Sequence, residues 1–166
     1  MPYAILRFQK RKAGGVAACE RHNERKKEAY KSNPDIDMER SKNNYHLVKP
    51  PRYTYKKEIN QMVKEAGCKV RKDSVMMVET LITASPEFMN SLPPEEQKAY
   101  FQTALDFISE RVGKKNILSA VVHMDERTPH MHLCFVPLTP DNKLSAKSIL
   151  GNQKSLSEWQ TAYHER

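Results

Sequence analysis

The sequence predicts an α+β fold, an antiparallel β-sheet with helices packed on one side of it. Three observations carry this. Apolar residues switch between period-two and period-3.6 spacing in the order β-α-α-β-α-β-β-α. The last two strand-like runs are separated only by Met124 to Pro129, which suits direct antiparallel pairing. The length, 166 residues, fits one domain able to bury a core without disulfides or structural metal.

Each element has its own signal. Tyr3–Phe8 reads as a strand, with Tyr3, Ile5 and Arg7 on one face and Ala4, Leu6 and Phe8 on the other. Gly14-Gly15 breaks it, and Val16 to Lys31 looks helical, its polar side crowded with Arg21, Glu24, Arg25, Lys27 and Glu28. Ser32 to Asp35 is a turn cluster, and residues 36–53, interrupted by Pro50-Pro51, read as an irregular segment over the core. From Thr54, the residues Ile59, Met62, Val63 and Ala66 form one helical stripe that Gly67 ends. Val75 to Thr83 is a β-branched, apolar run of strand length. Pro93-Pro94-Glu95-Glu96 starts a helix whose apolar face is Phe101, Ala104, Leu105, Ile108 and Val112, and Gly113 stops it. Ile117–His123 and His130–Val136 are strands. A last helix starts near Leu156, with Trp159 as its packing anchor, and reaches Arg166 without a stop signal. The 166 residues are therefore expected to be one domain, the N-terminal part of a longer protein.

Composition excludes several classes. Mean hydropathy is −0.75, yet apolar residues recur throughout, which argues against global disorder. No stretch approaches the ~18 apolar residues of a membrane span, and the opening MPYAILRFQKRK is too charged for a secretory signal. Three cysteines, Cys19, Cys68 and Cys134, sit at no ligand spacing. They read as small buried hydrophobes in a reducing, cytoplasmic setting. Charge is more informative. Residues 1–31 carry nine cations against three anions and residues 32–72 ten against five, whereas residues 73–112 carry two against seven. A basic half points to a polyanion, nucleic acid first and an anionic membrane surface second.

Three of the six histidines, His123, His130 and His132, fall within ten residues. His130 and His132 share a strand face, and a hairpin sets His123 beside them. Three converging imidazoles favour a catalytic metal site over histidines that never meet a metal. Asp125 and Glu126, in the hairpin loop, are close enough to complete the coordination or orient an imidazole. Glu79, a lone carboxylate in an apolar strand, either has a partner or lies on a solvated face. His22, between Arg21 and Arg25, should be held neutral. It is either a plain helix-surface histidine or a competent nucleophile.

Together, Tyr3-Ala4-x-x-Arg7-x-Gln9-Lys10, His22-Asn23-x-Arg25, Asn44-Tyr45-x-Leu47, Arg71-Lys72-Asp73, His123-x-Asp125-Glu126-x-Thr128-Pro129-His130-x-His132 and Asn142-Lys143-Leu144-Ser145-x-Lys147 resemble the plasmid mobilisation/recombination relaxases, the Mob/Pre (MobV) family. The resemblance covers nearly the whole chain. One departure is Val112-Gly113, where the family often has Tyr-Gly. The family is similar to the HUH endonucleases, so the resemblance implies a histidine cluster on a central strand holding a divalent metal, and nicking of one strand at a plasmid origin of transfer. A covalent 5′-phosphate link and later religation follow. It also implies His22 as nucleophile, with Tyr45, then Tyr53 and Tyr55, as tyrosine alternatives.

The expected site is then His22, with Glu79 and Glu126 as catalytic carboxylates and His123, His130 and His132 as metal ligands. Arg25, Asn44, Tyr45, Arg71, Lys72, Lys143 and Lys147 are expected to contact DNA that is single-stranded or hairpinned at the nick. Mn²⁺ is the expected ion, with Mg²⁺, Co²⁺, Ni²⁺ or Zn²⁺ as substitutes, and the conjugation coupling machinery is a further expected partner. Two other classes stay open. A metal-dependent hydrolase of another phosphate substrate would form no covalent DNA adduct. A non-catalytic DNA-binding module would bind DNA equally well after metal removal.

Overall fold

The computed structural model describes residues 4–25 and 43–151. Its strands are β1 (Ala4–Lys12), β2 (Tyr45–Val48), β3 (Val75–Ala84), β4 (Ile117–His123) and β5 (His130–Phe135). They form one sheet in the order β1-β3-β5-β4-β2, with every neighbouring pair antiparallel. The helices are α1 (Ala13–Asn23), α2 (Tyr55–Ala66), α3 (Pro86–Ser91), α4 (Pro94–Val112) and α5 (Ala146–Leu150). The class is α+β, as the sequence predicts.

The middle strand, β5, decides where everything else goes. Alternation sends Met131, Leu133 and Phe135 to one face and His130, His132 and Cys134 to the other. On the first face these side chains pack with Val78, Ile82, Ala120 and Val122 under Phe101, Leu105 and Ile108 of α4, and Ala146 and Leu150 of α5 join them. On the second face Met76, Met77, Leu118, Cys134 and Val136 are covered by Val16 and Cys19 of α1 and by Tyr55, Ile59 and Val63 of α2. Helices thus lie on both faces, not one. The reason is that β3 and β5 are apolar on both faces at this end, and each apolar face must be buried. The other end of the second face, where His130 and His132 stand, is left partly open.

Helix ends follow their signals. Thr54 caps α2, its Oγ1 accepting the Lys57 amide at 3.1 Å, and Gly67 ends it in the left-handed region at φ 68°. Pro93 precedes α4, and Gly113, at φ 90°, turns the chain into a single 3-10 turn before β4.

Several elements differ from expectation. β1 runs on to Lys12, and α1 begins at Ala13, so Gly14-Gly15 lie in its first turn and do not break the chain there. Residues 45–48, expected to be irregular, add an edge strand to β4. The short α3 and α5 were also unmarked: six and five residues leave almost no periodic signal. α1 ends at Asn23. The expected continuation to Lys31, the turn at Ser32–Asp35 and the helix from Leu156 with Trp159 lie outside the described residues. No helix among the described residues is long and apolar enough to cross a membrane.

One buried carboxylate fastens α1 to its surroundings. Glu24 accepts from the Tyr55 hydroxyl, from Ser119 Oγ at 2.9 Å and from His46 Nε2 at 2.6 Å. Burial alone would raise its pKa above 4.5, but these partners outweigh it and hold the group lower. The stabilisation is therefore complete above the ordinary value and is lost as pH falls through the depressed one. Glu24→Gln should lower the unfolding free energy by about 1–3 kcal/mol at neutral pH. It should also flatten the acid-side decline in stability; urea titration at neutral and acid pH measures both.

Candidate active site

The hairpin register builds the site. His123 pairs directly with His130, and Val121 with His132, so all three imidazoles rise from one sheet face. Their ring centroids stand 4.6 Å (His123–His132), 4.9 Å (His130–His132) and 5.4 Å (His123–His130) apart. The last turn of α1 brings His22 over them, 5.7 Å from His132 and 6.0 Å from His123. From the hairpin loop, Glu126 Oε2 lies 2.9 Å from His130 Nε2 and 3.7 Å from His123 Nδ1. A cleft of about 330 Å³ opens here, lined by His22, Leu81, Thr83, Glu126, His130 and His132 among others.

The ring nitrogens are arranged for a cation. The backbone carbonyl of Asn23 lies 2.7 Å from His123 Nε2 and can only accept, so Nε2 carries the proton and Nδ1 presents its lone pair. In the same way Thr128 carbonyl fixes the proton of His130 on Nδ1, at 2.8 Å, and turns Nε2 toward the Glu126 carboxylate. A lone pair facing a carboxylate at 2.9 Å needs either a second proton or a cation between them. His123 Nδ1 and both nitrogens of His132 are buried without a hydrogen-bond partner, a costly state that an ion relieves. One donor atom from each of His22, His123, Glu126 and His132 lies within 4.8 Å of the others. Imidazole nitrogen with one carboxylate is a donor set for a borderline divalent ion.

Protonation states agree with that use. Burial, with His123 and His130 behind it, presses His132 down to about 4 against the pull of Glu79. His22 is lowered by burial first, then by Arg25 and His123. Burial would raise the Glu79 carboxyl, but His132, Cys19 and Arg11 hold it down to about 2. At neutral pH His22 and His132 are therefore neutral beside anionic Glu79.

A clamp holds loop and helix together. Arg25 donates from Nε and Nη2 to the two oxygens of Asp125, both at 2.7 Å, and from Nη2 to Glu126 at 3.0 Å. Its Nη1 also donates to the His22 carbonyl at 3.1 Å. The Asp125 side chain is fully buried and also accepts from Asn44 Nδ2 at 3.1 Å, while Asn44 Oδ1 takes the Met124 amide at 2.6 Å. The backbone at Arg25 is in the left-handed region, φ 52°, which lets the side chain turn back onto the loop.

The expected residues divide accordingly. His22, His123, His130, His132 and Glu126 meet. Glu79 is adjacent, its Oε1 3.4 Å from His132 Nδ1 but off hydrogen-bond geometry, and it does have partners. Arg25, expected on DNA phosphate, is instead spent on two carboxylates, its side chain only 8% exposed. Asn44 fastens the loop. Tyr45 pairs with Val122 and packs against the α4 face, with Lys98 Nζ 6.0 Å from its ring. It is on the far side of the sheet from the histidines and cannot reach a phosphate bound there. Of the other tyrosine alternatives, Tyr55 is fully buried, with its hydroxyl on Glu24 and its acidity pushed far down by burial, whereas Tyr53 is exposed outside the cleft. Arg71 and Lys72 are exposed in the turn before Val75, which lies six residues along β3 from the partner of His132, roughly 20 Å away. Lys143 and Lys147 are exposed beyond the same end of β5. None of these four joins the cluster. The sequence reading missed Arg7, which pairs with the cleft residue Leu81 and so stands exposed on the histidine face. It had placed Arg7 on a strand face with Tyr3 and Ile5 and in the family motif, without a role at the site.

An open antiparallel sheet with a histidine pair on its middle strand, met by a helix-borne histidine, is a relaxase-type fold. The chain belongs to the plasmid recombination enzyme family, Mob_Pre, whose family model matches residues 1–166. It is 44% identical over 156 residues to the plasmid recombination enzyme of Bacillus thuringiensis, covering 93% of this chain and 35% of that protein. With plasmid recombination enzyme type 1 of Staphylococcus aureus it shares 38% over 169 residues, 99% of this chain and 42% of the relative. The chain thus spans less than half the length of these curated relatives. Among solved structures it matches the Mn-bound MobM relaxase domain (MOBV; Mob_Pre) in complex with plasmid pMV158 oriT DNA. The TM-score is 0.87 at 35% identity, covering 97% of this chain and 86% of that one.

Arg25→Met should leave the buried Asp125 carboxylate without its cation, at a cost of about 3–5 kcal/mol in unfolding free energy. Arg25→Lys should recover only part, because an ammonium cannot bridge two carboxylates in plane. Denaturant titration of the metal-free protein reads both, and equal midpoints for wild type and Arg25→Met would remove the clamp from the account.

Proposed function

We propose that the chain is a plasmid mobilisation relaxase that nicks one strand of origin-of-transfer DNA, stays joined to the 5′ phosphate and later religates it. The observation that carries this reading is His22 standing over His123 and His132 in an open cleft, with Glu126 beside them. The Mn-bound, oriT-bound state of the similar MobM domain supports both the ion and the substrate.

His123, His130, His132 and Glu126 would hold Mn²⁺, although Co²⁺, Ni²⁺ or Zn²⁺ suits the same donors, and Mg²⁺ suits them less. When bound, the ion supplies positive charge beside a non-bridging oxygen of the scissile phosphate. His22, neutral at working pH, attacks phosphorus. A P–N bond forms, the P–O3′ bond breaks, and the 3′ oxygen leaves as a hydroxyl, with the proton balance closed by the one released from the second ring nitrogen of His22. The phosphoryl bond energy is kept in the adduct, so religation needs no nucleotide. Arg25 fixes His22 and Glu126 relative to each other, and Glu79 orients His132 from behind. Arg7 is placed to take a phosphate next to the nick, and Arg71, Lys72, Lys143 and Lys147 would meet DNA farther along. These contacts give binding its salt dependence. The reaction belongs in the cytoplasm, where the coupling machinery of conjugation would receive the adduct.

The adduct should be a phosphoramidate. It should appear on a denaturing gel after incubation with origin DNA and Mn²⁺, fall apart in mild acid and survive alkali. His22→Ala should lose it and Tyr45→Phe should keep it. An acid-stable band that disappears in Tyr45→Phe would return the chemistry to tyrosine.

Binding and cutting should also separate. His132→Ala should slow nicking by about 10²–10³-fold, the scale of one lost electrostatic contact in a transition state. DNA affinity should change little, since it rests on many phosphates. Parallel loss of both, in filter binding and nicking assays, would reject this division of labour.

A further inference from the structure

Behind the histidine cluster lies a second group of donors, of which the nicking reaction uses only Glu79. Cys19 of α1, Cys134 of β5 and Glu79 of β3 each place one donor atom within 4.8 Å of the others. The Cys19 thiol donates to Glu79 Oε2. Asn23 Nδ2 is aimed at the middle of this triangle, 3.4 Å from Cys19 Sγ, 3.3 Å from Cys134 Sγ and 3.5 Å from Glu79 Oε2. Two fully enclosed polar atoms at its rim have no hydrogen-bond partner. They are Asn23 Oδ1 and His132 Nδ1, the latter 3.4 Å from Glu79 Oε1.

We propose that Cys19, Cys134, Glu79 and Asn23 form a second cation site, selective for a thiophilic divalent ion such as Zn²⁺, and that Glu79 links it to the histidine site through His132. Ligands about 2.0–2.3 Å from a tetrahedral ion stand roughly 3.3–3.8 Å from one another. Asn23 already stands at that separation from the three other donors, and on loading the Cys19 thiol and Glu79, now in direct hydrogen-bond contact, move apart to it. Turning the Asn23 amide over puts Oδ1 where Nδ2 now is and makes it the fourth ligand. Loading replaces two thiol protons: that of Cys19, now shared with Glu79, and that of Cys134. Two protons are released for each ion bound. Two thiolates and one carboxylate around a divalent ion leave one negative charge, and Arg11 Nη2 stands 3.6 Å from Glu79 to balance it. Thiolate donors select Zn²⁺ over the harder Mn²⁺, so the two sites discriminate between ions.

The test counts ions and reads their ligands, independently of nicking. Under reducing conditions, equilibrium dialysis should give two Zn²⁺ per wild-type chain but one Mn²⁺. Cys19→Ser and Cys134→Ser should each bind one Zn²⁺ and still one Mn²⁺. Titration with Co²⁺ should produce a thiolate-to-cobalt charge-transfer band in wild type, in His130→Ala and in Cys68→Ser. In Cys68→Ser, Cys19 and Cys134 are the only thiols left. The band should vanish in Cys19→Ser/Cys134→Ser. A single Zn²⁺ per wild-type chain, no charge-transfer band in wild type, or loss of the band in Cys68→Ser would each overturn the site. Should a Cys19 or Cys134 variant fail to fold, the wild-type and Cys68→Ser spectra decide alone. Loss of Mn²⁺ binding with the Zn²⁺ pattern intact would count against the histidine site and leave this one standing.

Discussion

Everything at this site depends on Arg25 reaching across to the hairpin loop. The loop between β4 and β5 carries Asp125 and Glu126, and the end of α1 carries His22 and Asn23. Beyond the Asn23 carbonyl on His123, something must hold these two pieces in register. One planar guanidinium does so by engaging both carboxylates and the carbonyl of His22. With Asp125 fully buried, that pairing is held by desolvation as well as charge, because separating the partners would strand a carboxylate away from water. The clamp therefore sets the gap between His22 and Glu126, the two groups on whose relative position the proposed phosphoryl transfer would depend.

The sheet supplies the other half of the constraint. As the middle strand, β5 has its backbone paired on both sides, so neither its register nor its facing can drift. Met131, Leu133 and Phe135 anchor one face in the α4 core, and this forces His130 and His132 onto the other. A one-residue slip would bury the imidazoles and expose the core. Metal-site geometry and hydrophobic packing are thus the same specification, read on opposite faces of one strand. The price appears as imidazole nitrogens buried without partners, a cost that a bound cation relieves.

What the sequence made legible follows from range. The histidine hairpin was readable because period-two alternation and a short loop are local rules, and the capped ends of α2 and α4 were readable for the same reason. Residues brought together over long separations were not. Arg25 and Asp125 are 100 positions apart, and a basic helix end looks the same whether its cations meet phosphate or carboxylate. The facing of Tyr45 was not legible because β2 is only four residues long and shows its facing only once it pairs with β4. Cys19 and Cys134 carried no ligand spacing, since the third donor, Glu79, comes from a different strand, 60 residues from Cys19. The charge-rich half pointed to a polyanion but did not say which cations would face it.

The central claim is that a histidine on α1, held over a histidine-carboxylate cluster, attacks the phosphate. Peptide mapping of the trapped DNA adduct tests this most directly. The adduct would be trimmed with nuclease, digested with trypsin and analysed at alkaline pH to keep a P–N bond intact. Cleavage after Arg21 and Arg25 isolates His22 in the peptide of residues 22–25. The account predicts the residual nucleotide on that peptide. A nucleotide on a peptide carrying Tyr45, Tyr53 or Tyr55 would contradict it.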